Sequence, residues 1–143
     1  MSAAIHIRNV RIIDPSAGSD SIGDLFLQDG VIVASSSVSA AGARIIDGTG
    51  LVAAPGFVDL HTHLREPGFE DKETIETGTA AGARGGFTTL CCMPNTSPAI
   101  DTAAVVDFIG QQARLAGPVR VLSFGAVTRG RAGEELADME ELA

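Results

Sequence analysis

Two histidines, His61 and His63, stand two residues apart in the segment 56–68, which reads GFVDLHTHLREPG. They follow a short apolar run, 57–60, that reads as a strand. Side chains at i and i+2 of a strand share a face, so both imidazoles can reach one metal ion while Thr62 points away. Neutral imidazole is a good zinc ligand. A bare His-x-His also occurs as a polar pair on a half-exposed strand. Its place favours the metal: the pair closes a strand expected to be buried, where α/β proteins set their active sites. Arg65 comes two residues later, on the same face or at the start of the loop. A guanidinium there is suited to hold a carboxylate through two parallel hydrogen bonds, although most arginines serve only the surface. Glu66-Pro67-Gly68 reads as a rigid turn out of the strand. Asn95 follows Cys91-Cys92-Met93-Pro94, at the end of a second apolar strand and on the same rim. Its amide can donate to a carboxylate and accept from a ring N–H, and the plainer alternative is a turn-forming asparagine. His6 alternates with Ile5 and Ile7 and is expected to face solvent.

Composition narrows the chemistry. The chain has 143 residues, 45% of them hydrophobic, which suffices for a packed core and argues against disorder. The net charge of −8, with Lys72 as the sole lysine, disfavours phosphate backbones and anionic membrane surfaces. Trp and Tyr are absent, so a stacking platform for single-stranded nucleic acid is not expected. No apolar run is long enough to span a bilayer, and the N-terminus reads as a strand rather than a signal peptide. Cys91 and Cys92 are adjacent and would point to opposite faces of a strand. They are expected to be unpaired, small and buried, which fits a reducing, cytoplasmic setting.

The elements that must position these residues change character near Pro55. Before it come short strands and turns: 5–13, 24–28 and 31–34, with Asp29-Gly30 as a hairpin turn, then a loop over 35–42 and short strands at 44–47 and 51–53. After it the rhythm is strand, helix, strand, helix. Strand 57–60 precedes a helix over 72–84 capped by Asp71 and stopped by Gly85-Gly86. This helix is rich in Ala and Gly, so its packed face is shallow. Strand 87–93, buried on both faces, precedes a helix capped by Asp101 and stopped by Gly117-Pro118. Val105, Phe108, Ile109 and Leu115 should share its inner face. A third strand over 119–127 and a third helix over 134–142 complete the pattern. Repeated βα units with short connections argue for a parallel sheet or barrel, and three units cannot close a barrel of eight.

DLHTHLREPG, with EDKETIETGTAAGARGGFTTLCCMPNTSP after it, closely resembles dihydroorotases of the amidohydrolase superfamily. The resemblance runs from about Val10 to the last residue. It implies an α/β fold: residues 1–54 as the N-terminal portion of a β-sandwich, and 55–143 as the first three βα units of a TIM-type (β/α)8 barrel. It implies one or two zinc ions, with His61 and His63 as the first two ligands. Arg65 and Asn95, with His63 beside them, match the binders of the substrate carboxylate. The activity implied is the interconversion of dihydroorotate and N-carbamoyl-aspartate in de novo pyrimidine synthesis. The further ligands and the catalytic aspartate of the family lie beyond position 143, so no catalytic base is assigned within this chain. The chain is therefore expected to be an inactive fragment of a longer enzyme. Two alternatives stay open: a non-catalytic homologue that partners aspartate transcarbamoylase, and another cyclic amidase such as hydantoinase or allantoinase. Either a homo-oligomer or an aspartate transcarbamoylase complex is compatible with the resemblance.

Overall fold

A computed structural model describes residues 4–35 and 42–142. The chain divides into two compact units, Met1–Pro55 and Gly56–Ala143. The loop expected over 35–42 lies, apart from its ends, outside the described residues.

The first unit holds β1 (Ile5–Asp14), β2 (Ser19–Gln28), β3 (Val31–Val33), β4 (Arg44–Asp47) and β5 (Val52–Ala53). They form one sheet in the order β3-β2-β1-β4, with β5 also against β1. Asp29 and Gly30 have φ of 50° and 79°, the positive pair that a tight two-residue hairpin needs between β2 and β3. Antiparallel β2 covers one side of β1, while β4 and β5 run parallel along successive halves of the other. A bulge falls between Ile7 and Val10, with Asn9 at φ 55°. Asp24 Oδ1 accepts from the Asn9 N–H at 2.9 Å, so the residue left over by the bulge keeps a partner. A hollow of about 500 Å³ on this sheet is lined mainly by apolar side chains, among them Ile12, Leu25 and Ile32.

The second unit alternates β6 (Phe57–Thr62), α1 (Ile75–Arg84), β7 (Phe87–Cys92), α2 (Ala103–Ala116) and β8 (Arg120–Ser123), and a short α3 (Met139–Leu142) follows. The three strands form a parallel sheet in the order β6-β7-β8. The core is built from Leu64, Ile75, Leu90, Cys92, Ile100, Val105, Ile109, Ala113 and Val119. The shallow face of α1 is real. A side chain at Gly78 would meet Leu64 Cδ2 at 2.5 Å, and one at Gly82 would meet Leu90 Cδ1 at 3.1 Å.

Several sequence expectations are corrected. α1 starts at Ile75, with Thr74 rather than Asp71 as its cap: Thr74 is extended (φ −114°, ψ 163°) and exchanges hydrogen bonds with Thr77. Asp101 does not cap α2. Its carboxylate accepts instead from the Gly130 N–H at 2.6 Å, and Thr102 takes the cap position without a side-chain bond. Leu115 is 81% exposed, because the inward stripe from Val105 and Ile109 continues through Ala113. β8 ends at Ser123, after which the Ala126 N–H turns to the Ile100 carbonyl. Residues 134–138 are not helical. Thr128 and Leu136 form an antiparallel bridge, and Arg129 and Ala137 donate across it to Glu135 and Val127. β6 is not a buried strand: it lies at the sheet edge, with Phe57, Val58 and Leu60 all more than half exposed. His6 is not simply solvent-facing. Its ring stacks on Phe26, directly opposite on β2, and its Nε2 lies 2.8 Å from Asp24 Oδ2.

Candidate active site

The site begins with an irregularity in β6. Between Asp59 and Thr62 the strand carries one more residue than the facing stretch of β7, Leu90 to Cys92. Such a bulge leaves a backbone group unpaired and re-aims the side chains beside it. Here the Asp59 carboxylate accepts from the His61 N–H at 2.9 Å, holding the extra residue in place. Pairing resumes at once, with the Met93 N–H donating to the Thr62 carbonyl at 2.9 Å.

The bulge presents His61 and His63 together. Their ring centroids are 5.2 Å apart, edge to face, and both residues are exposed. Thr62 between them is turned inward, its hydroxyl oxygen buried without a hydrogen-bond partner among the described residues. Asn95, from the loop after β7, places its Oδ1 2.9 Å from His63 Nδ1. An amide oxygen only accepts, so in this pairing Nδ1 is the donor, and a neutral ring then has its lone pair on Nε2. An open cleft of about 270 Å³ beside the site is lined by Asp59, Thr62, His63 and Glu73, among others.

Arg65 stands just past Leu64, which is buried in the core. It lies in the loop rather than on the strand, with φ of 66°. Its guanidinium makes no hydrogen bond or ion pair with the described residues. The structure thus brings His61, His63 and Asn95 into contact, and Arg65 joins them through the chain alone. Glu66 Oε2 accepts from the Ile75 N–H at 2.8 Å, tying the loop to the start of α1. The Ser97 N–H donates to the Pro67 carbonyl at 2.9 Å, joining the loops that follow β6 and β7. Gly68 is required at that junction: its φ is 98°, and an added Cβ would lie 2.2 Å from the Ser97 carbonyl oxygen. Glu70 accepts from the Gly68 N–H, which holds its carboxyl below the usual range.

Asp59 and Glu66 are the residues that sequence reasoning missed as contributors. Asp59 had a signal, since it stands two residues before His61 on the strand. Glu66 had none, because its partner is nine residues away at a helix start that Thr74 sets. Cys91 and Cys92 are free and buried, as expected, and burial pushes the Cys92 thiol up.

The family described as dihydro-orotase-like matches residues 50–143. A dihydroorotase of Solibacter usitatus is 52% identical over 134 residues, covering 93% of this chain and 31% of that protein. One of Pelotomaculum thermopropionicum is 50% identical over 137 residues, covering 95% of this chain and 32% of its own. The chain therefore spans about a third of the length of these curated relatives. Among solved structures, the L-hydantoinase (dihydropyrimidinase) of Arthrobacter aurescens matches with a TM-score of 0.73 at 26% identity, over 87% of this chain and 28% of its own. With a match across more than half of its length, the chain belongs to the dihydro-orotase-like family.

Proposed function

We propose that this chain carries the first part of the active site of a zinc-dependent dihydroorotase, which interconverts dihydroorotate and N-carbamoyl-aspartate in pyrimidine synthesis. The observation that carries the reading is the His61–His63 pair, with His63 oriented by Asn95. It lies in a chain half-identical to dihydroorotases along nearly all its length.

The donor set fits zinc as far as it goes. Two exposed imidazoles share one side of the strand end, and the hydrogen bond to Asn95 frees His63 Nε2 for a metal. Zinc sites use three or four protein ligands, and in this reading the rest of the set comes from the part of the relatives' length that this chain does not span. One or two zinc ions would lower the pKa of a bound water and polarise the ring carbonyl. The chain's own residues bind and orient. Arg65 holds the substrate carboxylate with its planar fork. Asn95 adds an amide N–H beside it while fixing the tautomer of His63. The general base belongs to the remainder of the enzyme.

In the same reading, residues 55–143 are the first three βα units of an eight-stranded barrel, and 1–54 a portion of a β-sandwich. The exposed edge of β6 suits a strand that pairs onward in a closed barrel. The two free cysteines suit a reducing cytoplasm. The family reading leaves room for a homo-oligomer or a complex with aspartate transcarbamoylase.

The likeness to a hydantoinase structure favours one competing reading, a cyclic amidase acting on a ring without the carboxylate. Arg65 separates the two. In a full-length dihydroorotase carrying the same turn, Arg65→Ala should weaken dihydroorotate binding by about thirtyfold or more, as loss of one partner of a charge pair does. Zinc content should stay unchanged. Equal affinity for dihydroorotate in the variant would defeat the assignment and favour the competing ring.

A further inference from the structure

Arg65 is held in an uncommon backbone state. Its φ is 66°, and the Glu66 N–H returns to the Leu64 carbonyl at 2.8 Å. That is a γ-turn with a non-glycine residue at a left-handed apex, a strained arrangement for an L-residue. Strain of this kind persists only where the surroundings over-determine it. Leu64, buried in the core, fixes the entry to the turn. The Pro67 carbonyl, accepting from Ser97, fixes the exit. Between them the Glu66 side chain reaches α1 and accepts from the Ile75 N–H at 2.8 Å.

The donor it reaches has few alternatives. Ile75 is the first residue of α1 and has 0% exposure. Thr74, the cap, uses its hydroxyl on Thr77 instead. The Ile75 N–H is thus one of the helix-start donors without an intrahelical partner, and it is shut off from water. A carboxylate is the favoured acceptor there, because the N-terminal end of the helix dipole is positive. α1 is itself seated on Leu64 through Gly78. The carboxylate therefore ties the turn to a packed element rather than to another loop.

We propose that Glu66 is a positioning residue for substrate binding, locking the turn that presents Arg65 to the first turn of α1. Arg65 then meets the substrate carboxylate already ordered, and binding does not have to supply that order. The proposal rests on the reading of Arg65 as the carboxylate holder.

The test is a double-mutant cycle on Arg65 and Glu66 in a full-length, zinc-loaded dihydroorotase with the same Arg-Glu-Pro-Gly turn. Glu66→Ala should raise KM for dihydroorotate about tenfold, the usual size for a partner behind a first contact, with kcat within about threefold. Glu66→Gln, which keeps an acceptor oxygen, should restore most of the loss. In the Arg65→Ala background, Glu66→Ala should add nothing further. Additive losses, or a fall in kcat and zinc content with KM unchanged, would overturn the proposal by making Glu66 a general structural support. If Arg65→Ala alone leaves KM unchanged, the reading of Arg65 fails instead, which is a distinct result. Should Glu66→Ala not fold, Glu66→Met, which keeps the side-chain length without an acceptor oxygen, carries the same cycle: a KM rise that vanishes without Arg65 supports the proposal, and one that persists overturns it.

Discussion

At His63 the decisive detail is which ring nitrogen keeps its proton. Asn95 Oδ1 faces Nδ1, so in the neutral ring Nε2 keeps the lone pair that a metal would take in the proposed reading. Two partners behind the imidazole pair share the task of orientation: Asn95 for the ring of His63, and Asp59 for the backbone of His61. Removing the Asp59 carboxylate frees the bulge N–H and lets the strand end relax. Asp59→Ala in a full-length homologue should therefore lower zinc affinity by about tenfold while leaving the fold intact. Competition against a chromogenic chelator would measure this, and an unchanged zinc affinity would show that the bulge holds without Asp59. The His-x-His spacing and the position of Asn95 were legible in the sequence. Their mutual hydrogen bond was not, because the two lie 32 residues apart and meet only when β6 and β7 pair in this register.

Elements meet here through glycines as much as through apolar side chains. Gly78 and Gly82 let α1 settle onto Leu64 and Leu90, and Gly68 lets the loop after β6 touch the loop after β7. Alanine at position 68 would face a backbone carbonyl at 2.2 Å and a positive φ at once, and neither can yield cheaply. Gly68→Ala should cost at least about 1 kcal/mol, measured by urea unfolding, and should loosen the turn that carries Arg65. A variant as stable as the parent would show that the loops part without consequence. The Ala/Gly richness of α1 was readable as a shallow face. Its first residue was not, since Asp71 and Thr74 are both good caps by type. Only the reciprocal bonds of Thr74 with Thr77 decide between them.

The whole molecule carries a net charge of −8. In the first unit four aspartates lie below the usual carboxylate range. Asp14 is lowered by the hydroxyl of Ser16, Asp20 by the guanidinium of Arg11, Asp24 by the N–H of Asn9 and Asp47 by the hydroxyl of Thr49. Each is more readily ionised folded than unfolded. Their stabilising contributions are therefore present above the unfolded value of about 3.9 and are lost as pH falls through the folded values. Asp20, Asp24 and Asp47 are solvent-exposed and Asp14 is partly so, so each contribution is small and salt-screened. The urea midpoint should be flat from about pH 8 to about pH 5 and decline below about pH 4. An equal midpoint at about pH 6 and about pH 3 would contradict this.

The sequence by itself determined the order of elements, the change of character near Pro55, the two-residue spacing of His61 and His63, and the family. Those features rest on local rules: side-chain periodicity, turn chemistry and the grouping of residue types along one stretch of chain. The tertiary structure decided the rest. It set the true starts of α1 and α2, the early end of β8, the exposed edge of β6, the stacking of His6 on Phe26, and the tie from Glu66 to Ile75. Each depends on which distant group competes for a hydrogen bond or covers a surface. Asp101 reads as a helix cap until the Gly130 N–H, 29 residues away, arrives to claim its carboxylate. Local propensity proposes a partner for every polar group, and the packed fold chooses among the partners it brings within reach.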